Sequence, residues 1–264
     1  MEMSPNANIR LEVIFEILKV FIFYDDFVAF DEYVQIAVPL EKESIDWEKR
    51  NQLKVYKALN YSEKGEFRKA AKLFVSSLST FASEDILPFS DIILMASAFS
   101  FISLDRLSLK SQIIDSPEVV SGLADLPSLD LLLKSVYELK YSDFYTALGK
   151  LKPIFETNRF LRRHFESFEN SAKRVIYGQF LESYVSVTVS SIAESFNVSV
   201  EQIYKDFFVY ISNGEIEAKV DRQEEVIHRY VKDQQAEAFY KIAEAGQHLS
   251  QKAQLLLNKI QNKS

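Results

Sequence analysis

The stretch from Tyr177 to Val231 constrains the fold most, because its hydrophobic period switches between helix and strand at places marked by turn residues. Val185 to Val189 reads V-S-V-T-V, which is β-branched and too short for a helix, and predicts a brief strand or extended entry. Val189, Ile192, Ala193 and Phe196 then fall at i, i+3, i+4 and i+7, the buried stripe of a helix ending near Phe196. Asn197 supplies a turn. Ser199 reads as an N-cap with Gln202 three residues on, the spacing of a reciprocal capping box. The helix that follows carries Val200, Ile203, Phe207 and Ile211, with Tyr204 and Phe208 alongside, as its inward face. Asn213-Gly214 ends it, and Ile216 to Val220 alternates in strand period. After the polar turn Asp221 to Glu225, a second strand returns over Val226 to Val231.

Helix, turn, helix and hairpin make a winged helix. The outward face of its second helix is expected to hold Gln202, Lys205, Asp206, Val209 and Ser212. Groove binding needs Arg and Lys to neutralise phosphates, and Arg, Asn or Gln to read base edges. Here one Lys sits beside one Asp, and Glu201 occupies the first turn, so a phosphate backbone would be repelled. Val209, at the centre of the solvent side, suits a protein contact; it is equally the kind of isolated apolar residue found on any surface.

Composition favours helices elsewhere. The 264 residues are 47% apolar and 26% charged, which is globular rather than disordered, and six Gly and six Pro leave little material for turns. A net charge of −7 gives no general attraction to nucleic acid or to an anionic membrane. The absence of Cys excludes a disulfide framework, thiolate zinc sites and thiol nucleophiles, and is compatible with a reducing compartment. The start, M-E-M-S-P-N-A-N-I-R, lacks the basic-then-apolar order of a signal peptide. The apolar run Val13 to Phe23 is broken by Glu16 and Lys19 and is too short to span a bilayer. A soluble intracellular protein is expected.

Ile9 to Phe23 predicts a helix apolar enough to be buried on most sides, and Asp25-Asp26 punctuates it. Phe27 to Val38 predicts its antiparallel partner, stopped by Pro39. A longer helix runs from Asp46-Trp47 to Lys64 and breaks at Gly65. The sequence Gly65-Glu66-Phe67-Arg68-Lys69-Ala70-Ala71-Lys72-Leu73-Phe74 resembles the second half of a tetratricopeptide repeat, although an ordinary helical hairpin reads the same way. Helix pairs of similar size on either side suggest a solenoid. Phe81 to Ser90 reads as a loop, Ile92 to Leu104 as an apolar helix, and Ser116-Pro117-Glu118 as a helix start. Further helices are expected from Pro127 to Tyr137, from Tyr141-Ser142-Asp143-Phe144 to about Lys152-Pro153, and from about Arg159 to Tyr184.

The last predicted helix, Gln234 to Gln261, places Phe239, Ile242, Gly246, Leu249, Ala253, Leu256 and Ile260 three and four apart. That is a heptad seam seeking partner helices, or a core stripe packed on its own domain; over this length the two periods differ little. The domain division that follows is 1–158 for tetratricopeptide-like repeats, 159–233 for the winged helix and 234–264 for the terminal helix.

Helical repeats feeding a winged helix and a long terminal helix resemble the PCI domain, found in subunits of the proteasome lid, the COP9 signalosome and translation initiation factor three. Closer still is the resemblance to the family of one 26S proteasome lid subunit, regulatory-particle non-ATPase subunit seven. It rests on Asp46-Trp47-Glu48-Lys49-Arg50-Asn51, on Leu109 to Glu118 (L-K-S-Q-I-I-D-S-P-E), on Leu181-Glu182-Ser183-Tyr184 and on Leu255 to Gln261 (L-L-L-N-K-I-Q). Signalosome subunit one shares the architecture, and the Lys110 to Glu118 stretch favours the proteasome.

The resemblance implies a non-catalytic scaffold in a hetero-oligomeric complex of the cytoplasm and nucleus. Winged helices of several such subunits would stack edge to edge, their terminal helices would gather in a bundle, and the assembly would hold the deubiquitinating subunit. Candidate contacts are Phe239, Ile242, Leu249, Leu256 and Ile260 on the terminal helix, and Val209, Ile216, Ala218 and Val220 on the winged helix. The resemblance implies a further N-terminal helical segment that this sequence does not include, so a shortened lineage or a partial chain is expected. The residues after the wing, Glu225 to Asp233, depart from the family's acidic-Thr-Asn-Arg-Pro-Asp ending.

No catalytic, cofactor or metal residue is expected. His164, His228 and His248 fall on separate elements without ligand spacing. Walker, G-x-G-x-x-G, G-x-S-x-G and His-x-His deubiquitinase motifs are missing. Asp25-Asp26 and Glu224-Glu225 read as solvated turns. Arg159, Arg162, Arg163 and Lys173-Arg174 read as a solvated helix face or a contact for an acidic partner. A winged-helix nucleic-acid or translation-factor module remains the alternative of a different class.

Overall fold

A computed structural model describes residues 7–43, 46–79 and 86–229. Helices α1 (Ala7–Tyr24) and α2 (Phe27–Glu43) fold back on one another through Asp25 and Asp26. Asp25 takes the left-handed conformation (φ +57°), and the Asp26 carboxylate accepts a bond of 3.1 Å from the Ala29 amide. Contrary to the sequence expectation, α2 continues past Pro39. The ring is exposed and so is Gln35 one turn earlier, so the carbonyl that loses its amide partner can turn to water.

Helix α3 (Trp47–Glu63) is capped by Asp46, whose side chain accepts from the Glu48 amide at 3.0 Å, and ends where Gly65 adopts φ +73°. The expected tetratricopeptide-like half follows as α4 (Phe67–Leu78), with Phe67, Ala70, Ala71 and Phe74 all buried. Small Ala70 and Ala71 let α4 lie close to α3, and Phe67 stacks on Phe99 of α5 (Phe89–Ser103) at 4.9 Å. Every residue from Ile92 to Phe101 is buried, so α5 is the central helix of the repeats, as a run apolar but for Ser97 and Ser100 suggests.

The stretch Leu109 to Glu118 spans a change of geometry. The short α6 (Arg106–Leu109) passes into one turn of π-helix over Lys110–Ile114, and Pro117 then starts α7 (Pro117–Leu123) at its first position. Helix α8 (Pro127–Tyr137) has the predicted bounds. A 3₁₀ turn at Tyr141–Asp143 leads into α9 (Phe144–Thr157), which, like α2, carries an exposed proline, Pro153, past the expected stop. The next helix, α10 (Phe165–Glu182), begins six residues later than Arg159. The buried Asn158 explains the delay: its side chain accepts from the Phe160 amide at 3.1 Å and holds the chain in a turn before the helix.

The winged helix consists of β1 (Ser186–Thr188), α11 (Val189–Phe196), α12 (Val200–Ser212), β2 (Ala218–Asp221) and β3 (Val226–Arg229). Its sheet is antiparallel in the order β1-β3-β2, with Val187 opposite Ile227 and Val220 opposite Ile227 on the other side. Asn197 makes the predicted turn at φ +53°. One continuous set of buried side chains runs from Leu11 of α1 to Ile227 of β3, so the repeats and the winged helix share a core. The predicted helix from Gln234 to Gln261, with Phe239, Ile242, Leu249, Leu256 and Ile260, lies outside the described residues.

Candidate interaction surface of the winged helix

The core face of α12 is Ile203, Asp206, Phe207 and Tyr210, at i, i+3, i+4 and i+7. That is a rotation from the expected stripe. Tyr210 takes the place of Ile211, which is half-buried, while Val200 and Phe208 stand on the surface. Asp206, expected outside, is turned inward. Its Oδ2 accepts from the Tyr177 hydroxyl of α10 at 2.9 Å and the Tyr145 hydroxyl of α9 at 3.1 Å, and its Oδ1 accepts from the Gln202 amide at 2.7 Å.

The same bond disposes of half of the expected capping box. Ser199 accepts from the Gln202 amide N–H at 3.3 Å as predicted, but the Gln202 side chain faces Asp206 rather than reaching back. A second tyrosine bond, from Tyr210 to the Asn170 carbonyl at 3.2 Å, ties α12 to α10 again. Burial first, and the neighbouring hydroxyl and carboxylate next, push the Tyr177 hydroxyl far above its ordinary value. Tyr145 and Tyr210 are raised for the same leading reason. All three therefore stay protonated and can donate.

With Asp206 withdrawn, the outward side of α12 presents Phe208 (64% exposed) and Val209 (46%) beside Lys205 and Ser212. One Lys among apolar side chains does not make a phosphate-binding face. Two adjacent exposed apolar residues at the middle of a helix fit the core of a protein contact. Beside them, β2 is an edge strand, and among the described residues nothing pairs with its outer side.

Of the side chains expected to serve that edge, Ile216 is buried at 7% exposure in its own domain and precedes the strand. Ala218 and Val220 are half-buried against the core. What the edge offers a neighbour is consequently backbone N–H and C=O groups rather than apolar side chains.

The basic cluster is partly exposed to solvent and is also engaged in ion pairs within the chain. Arg159 and Arg162 bind the Asp25 carboxylate at 3.2 and 3.1 Å, and Arg159 also donates to the Ile22 carbonyl. Arg163 binds Glu63 at 2.9 Å, and the His164 ring bonds the Glu63 carbonyl at 2.7 Å while meeting Phe67 edge-on. The turn before α10 thus clamps the turns α1–α2 and α3–α4. Lys173 pairs with Glu169 at 2.8 Å on its own helix. Sequence reasoning could not find the partners of Arg159, Arg162, Arg163 and His164, because they lie 100 to 137 residues away and no local period announces them.

His228 is exposed on β3, apart from His164. Among the described residues no group of three or more His, Cys, Asp or Glu is placed to hold a metal, and no helix is long and apolar enough to cross a membrane. A cleft of about 440 Å³ beside the π-turn, lined by Ile114, Val120, Leu123, Leu133 and Tyr137, has apolar walls rimmed by the Asp130–Lys134 ion pair.

Stacked helix pairs that share their core with a winged helix define a PCI-domain protein, and a PCI domain model matches residues 148–230. A second family model, described as 26S proteasome subunit RPN7, matches residues 1–112. A 26S proteasome non-ATPase regulatory subunit 6 homolog of Arabidopsis thaliana is 37% identical over 81% of this chain and 55% of its own length. The corresponding subunit 6 of Oryza sativa is 34% identical over 97% of this chain and 64% of its own. COP9 signalosome complex subunit 1 of Arabidopsis thaliana is 24% identical over 78% of this chain and 47% of its own. The chain belongs to the RPN7 family of PCI-domain proteins. It spans between half and two thirds of the length of the proteasomal relatives cited.

Proposed function

We propose that this chain is a non-catalytic scaffold subunit of the 26S proteasome lid, joined to other PCI subunits and helping to hold the deubiquitinating subunit during degradation of ubiquitinated proteins. The observation that carries the reading is the surface of the winged helix. Its second helix withdraws its central acid, exposes Phe208 and Val209, and stands beside the unpaired edge of β2. A neighbouring sheet edge adding to β2 would gain main-chain hydrogen bonds, and the apolar pair would supply the dry centre of the contact.

In this reading residues 1–158 form the repeat arm, 159–233 the joint and 234–264 the bundle segment, with Phe239, Ile242, Leu249, Leu256 and Ile260 as its contacts. The protein works in cytoplasm and nucleus. A signalosome scaffold would use the same surfaces, but identities of 37% and 34% with proteasomal relatives against 24% with the signalosome subunit favour the proteasome.

The test is affinity purification of the tagged chain from its own cells at gentle salt, with companions identified by mass spectrometry. Lid subunits and peptidase activity are expected with the whole chain, and are expected to be lost when it ends at Asp233 or carries Phe208→Asp with Val209→Asp. Recovery of signalosome subunits would reassign the chain within the PCI proteins. Recovery of nucleic acid without a stable protein complex would end the scaffold reading.

A further inference from the structure

A concave channel follows the outer side of α10. One reach, of about 550 Å³, is lined by Val175, Gly178 and Glu182 of α10, with Leu104 and Leu139 across from them. The other, of about 540 Å³, lies over Ser171 and against Phe67 and Ile102. Arg174 lines both, so the two meet there. On α10 the lining residues Ser171, Val175, Gly178 and Glu182 recur at intervals of four, three and four, which is one face of the helix. Gly178 sets the depth. A Cβ placed there would meet nothing among the described residues within 4 Å, so no contact within them requires the glycine that a helix interior disfavours. What its missing side chain allows is the close approach of another backbone.

The chain itself arrives at one end of this channel. Arg229, the last residue of β3, donates from its backbone amide to the Val185 carbonyl at 2.9 Å and from its guanidinium to the Glu182 carbonyl at 3.1 Å. Residues 230–264 continue from that point, and three residues reach up to about 10 Å. Their sequence complements the channel when it runs antiparallel to α10. With Lys232 set over Glu182, Ala236 falls over Gly178, Tyr240 over Arg174 and Ala243 over Ser171. That register puts an ammonium against a carboxylate, an aromatic ring against a guanidinium, and a small residue against a small residue twice. Both charges are open to it. Glu182 makes no ion pair among the described residues, and Arg174 has Glu215 at 3.9 Å, too far for a hydrogen bond.

We propose that residues 232–243 of this chain occupy the channel, antiparallel to α10. At 100° per residue Ala236, Tyr240 and Ala243 share a face within about 60°, and the predicted seam of Phe239, Ile242 and Leu249 lies about a third of a turn away. Seating the small face therefore leaves the seam outward and fixes the direction in which it points. The inference does not rest on the lid reading, because every contact in it lies within one chain.

The sequence has no Cys, so paired cysteines report the register. In the whole chain, kept dilute, mild oxidation should join Ser171→Cys to Ala243→Cys several-fold faster than Ser171→Cys to Lys232→Cys, since a bridge needs Cα atoms within about 7 Å. A second variant tests the depth. Gly178→Leu should fill the channel with an unchanged circular dichroism spectrum, yet speed tryptic cutting after Lys241 several-fold. Bridging no faster in the matched pair than in the mismatched one, or cutting indifferent to Gly178→Leu, overturns the proposal and leaves the channel to a helix of another protein.

Discussion

At the scale of single residues, Asp206 makes the sharpest claim. Two tyrosine hydroxyls and a glutamine amide converge on one buried carboxylate, so removing it leaves the fully buried Tyr177 hydroxyl with only the Tyr145 hydroxyl as partner. Asp206→Ala should cost about 2–3 kcal/mol in urea unfolding, whereas Tyr177→Phe, which removes one donor and leaves the carboxylate its other partners, should cost about 1 kcal/mol. Equal effects would show that the network is not organised around the acid.

Asp31 gives a pH signature. Hydrogen bonds from Lys64, then Asn60, hold its carboxyl below the ordinary range. Because the folded value lies below the unfolded one, this contribution is complete above the unfolded value and is lost as pH falls through the folded value. Lys64→Met should therefore move the onset of acid unfolding to higher pH, read by far-UV circular dichroism. Neither role was legible beforehand. Asp206 sits at a position that a helical wheel assigns to solvent, and its tyrosine partners are 29 and 61 residues away.

At the scale of elements, close approach between α5 and α7 depends on Gly122. A Cβ there would fall 2.1 Å from Ile93 Cδ1 in the buried seam between the two helices. Gly122→Ala should destabilise by about 1–3 kcal/mol, and Ile93→Val in the same chain should recover part of the loss by vacating that space. Failure of the second change to help would place the strain elsewhere.

Elements with local punctuation were legible. Pro127 opens α8, Gly65 closes the turn into α4, and Ser199 caps α12, because each signal is carried by one residue's own backbone chemistry. Misreadings came where the surroundings of a residue overrode a local rule. Pro39 and Pro153 failed to end their helices because both rings face water, and Asn158 delayed α10 through a bond that periodicity does not encode. The rotation of α12 by part of a turn has a like origin: Asp206 and Tyr210, less apolar than Val200, Phe208 and Ile211, take the inward positions through hydrogen bonds to α9 and α10.

At the scale of the molecule, the repeats and the winged helix are joined twice, by the network around Asp206 and by the arginine clamp on Asp25 and Glu63. The clamp pairs are partly exposed, so each contributes only about 0.2–1 kcal/mol. Asp25→Ala should lower overall stability slightly, while speeding amide exchange in the turns at residues 22–26 and 158–164 more than in α5. Uniform acceleration across the chain would argue that the clamp holds nothing locally. The general order of helix pairs followed by a winged helix was readable from periodicity; the contacts that fix one against the other were not, because every one spans a large separation in sequence.

The inward turn of Asp206 has a mechanical consequence. The second helix of the winged helix is bolted to α9 and α10 behind it. Were a neighbour to seat on the wing as proposed, it would set the heading of the helices behind it, as a hand on a spanner sets the direction of its far end. Small changes of angle there would be magnified into large sweeps at α1, so cutting the tyrosine bolts would blur the position of the repeats relative to the wing.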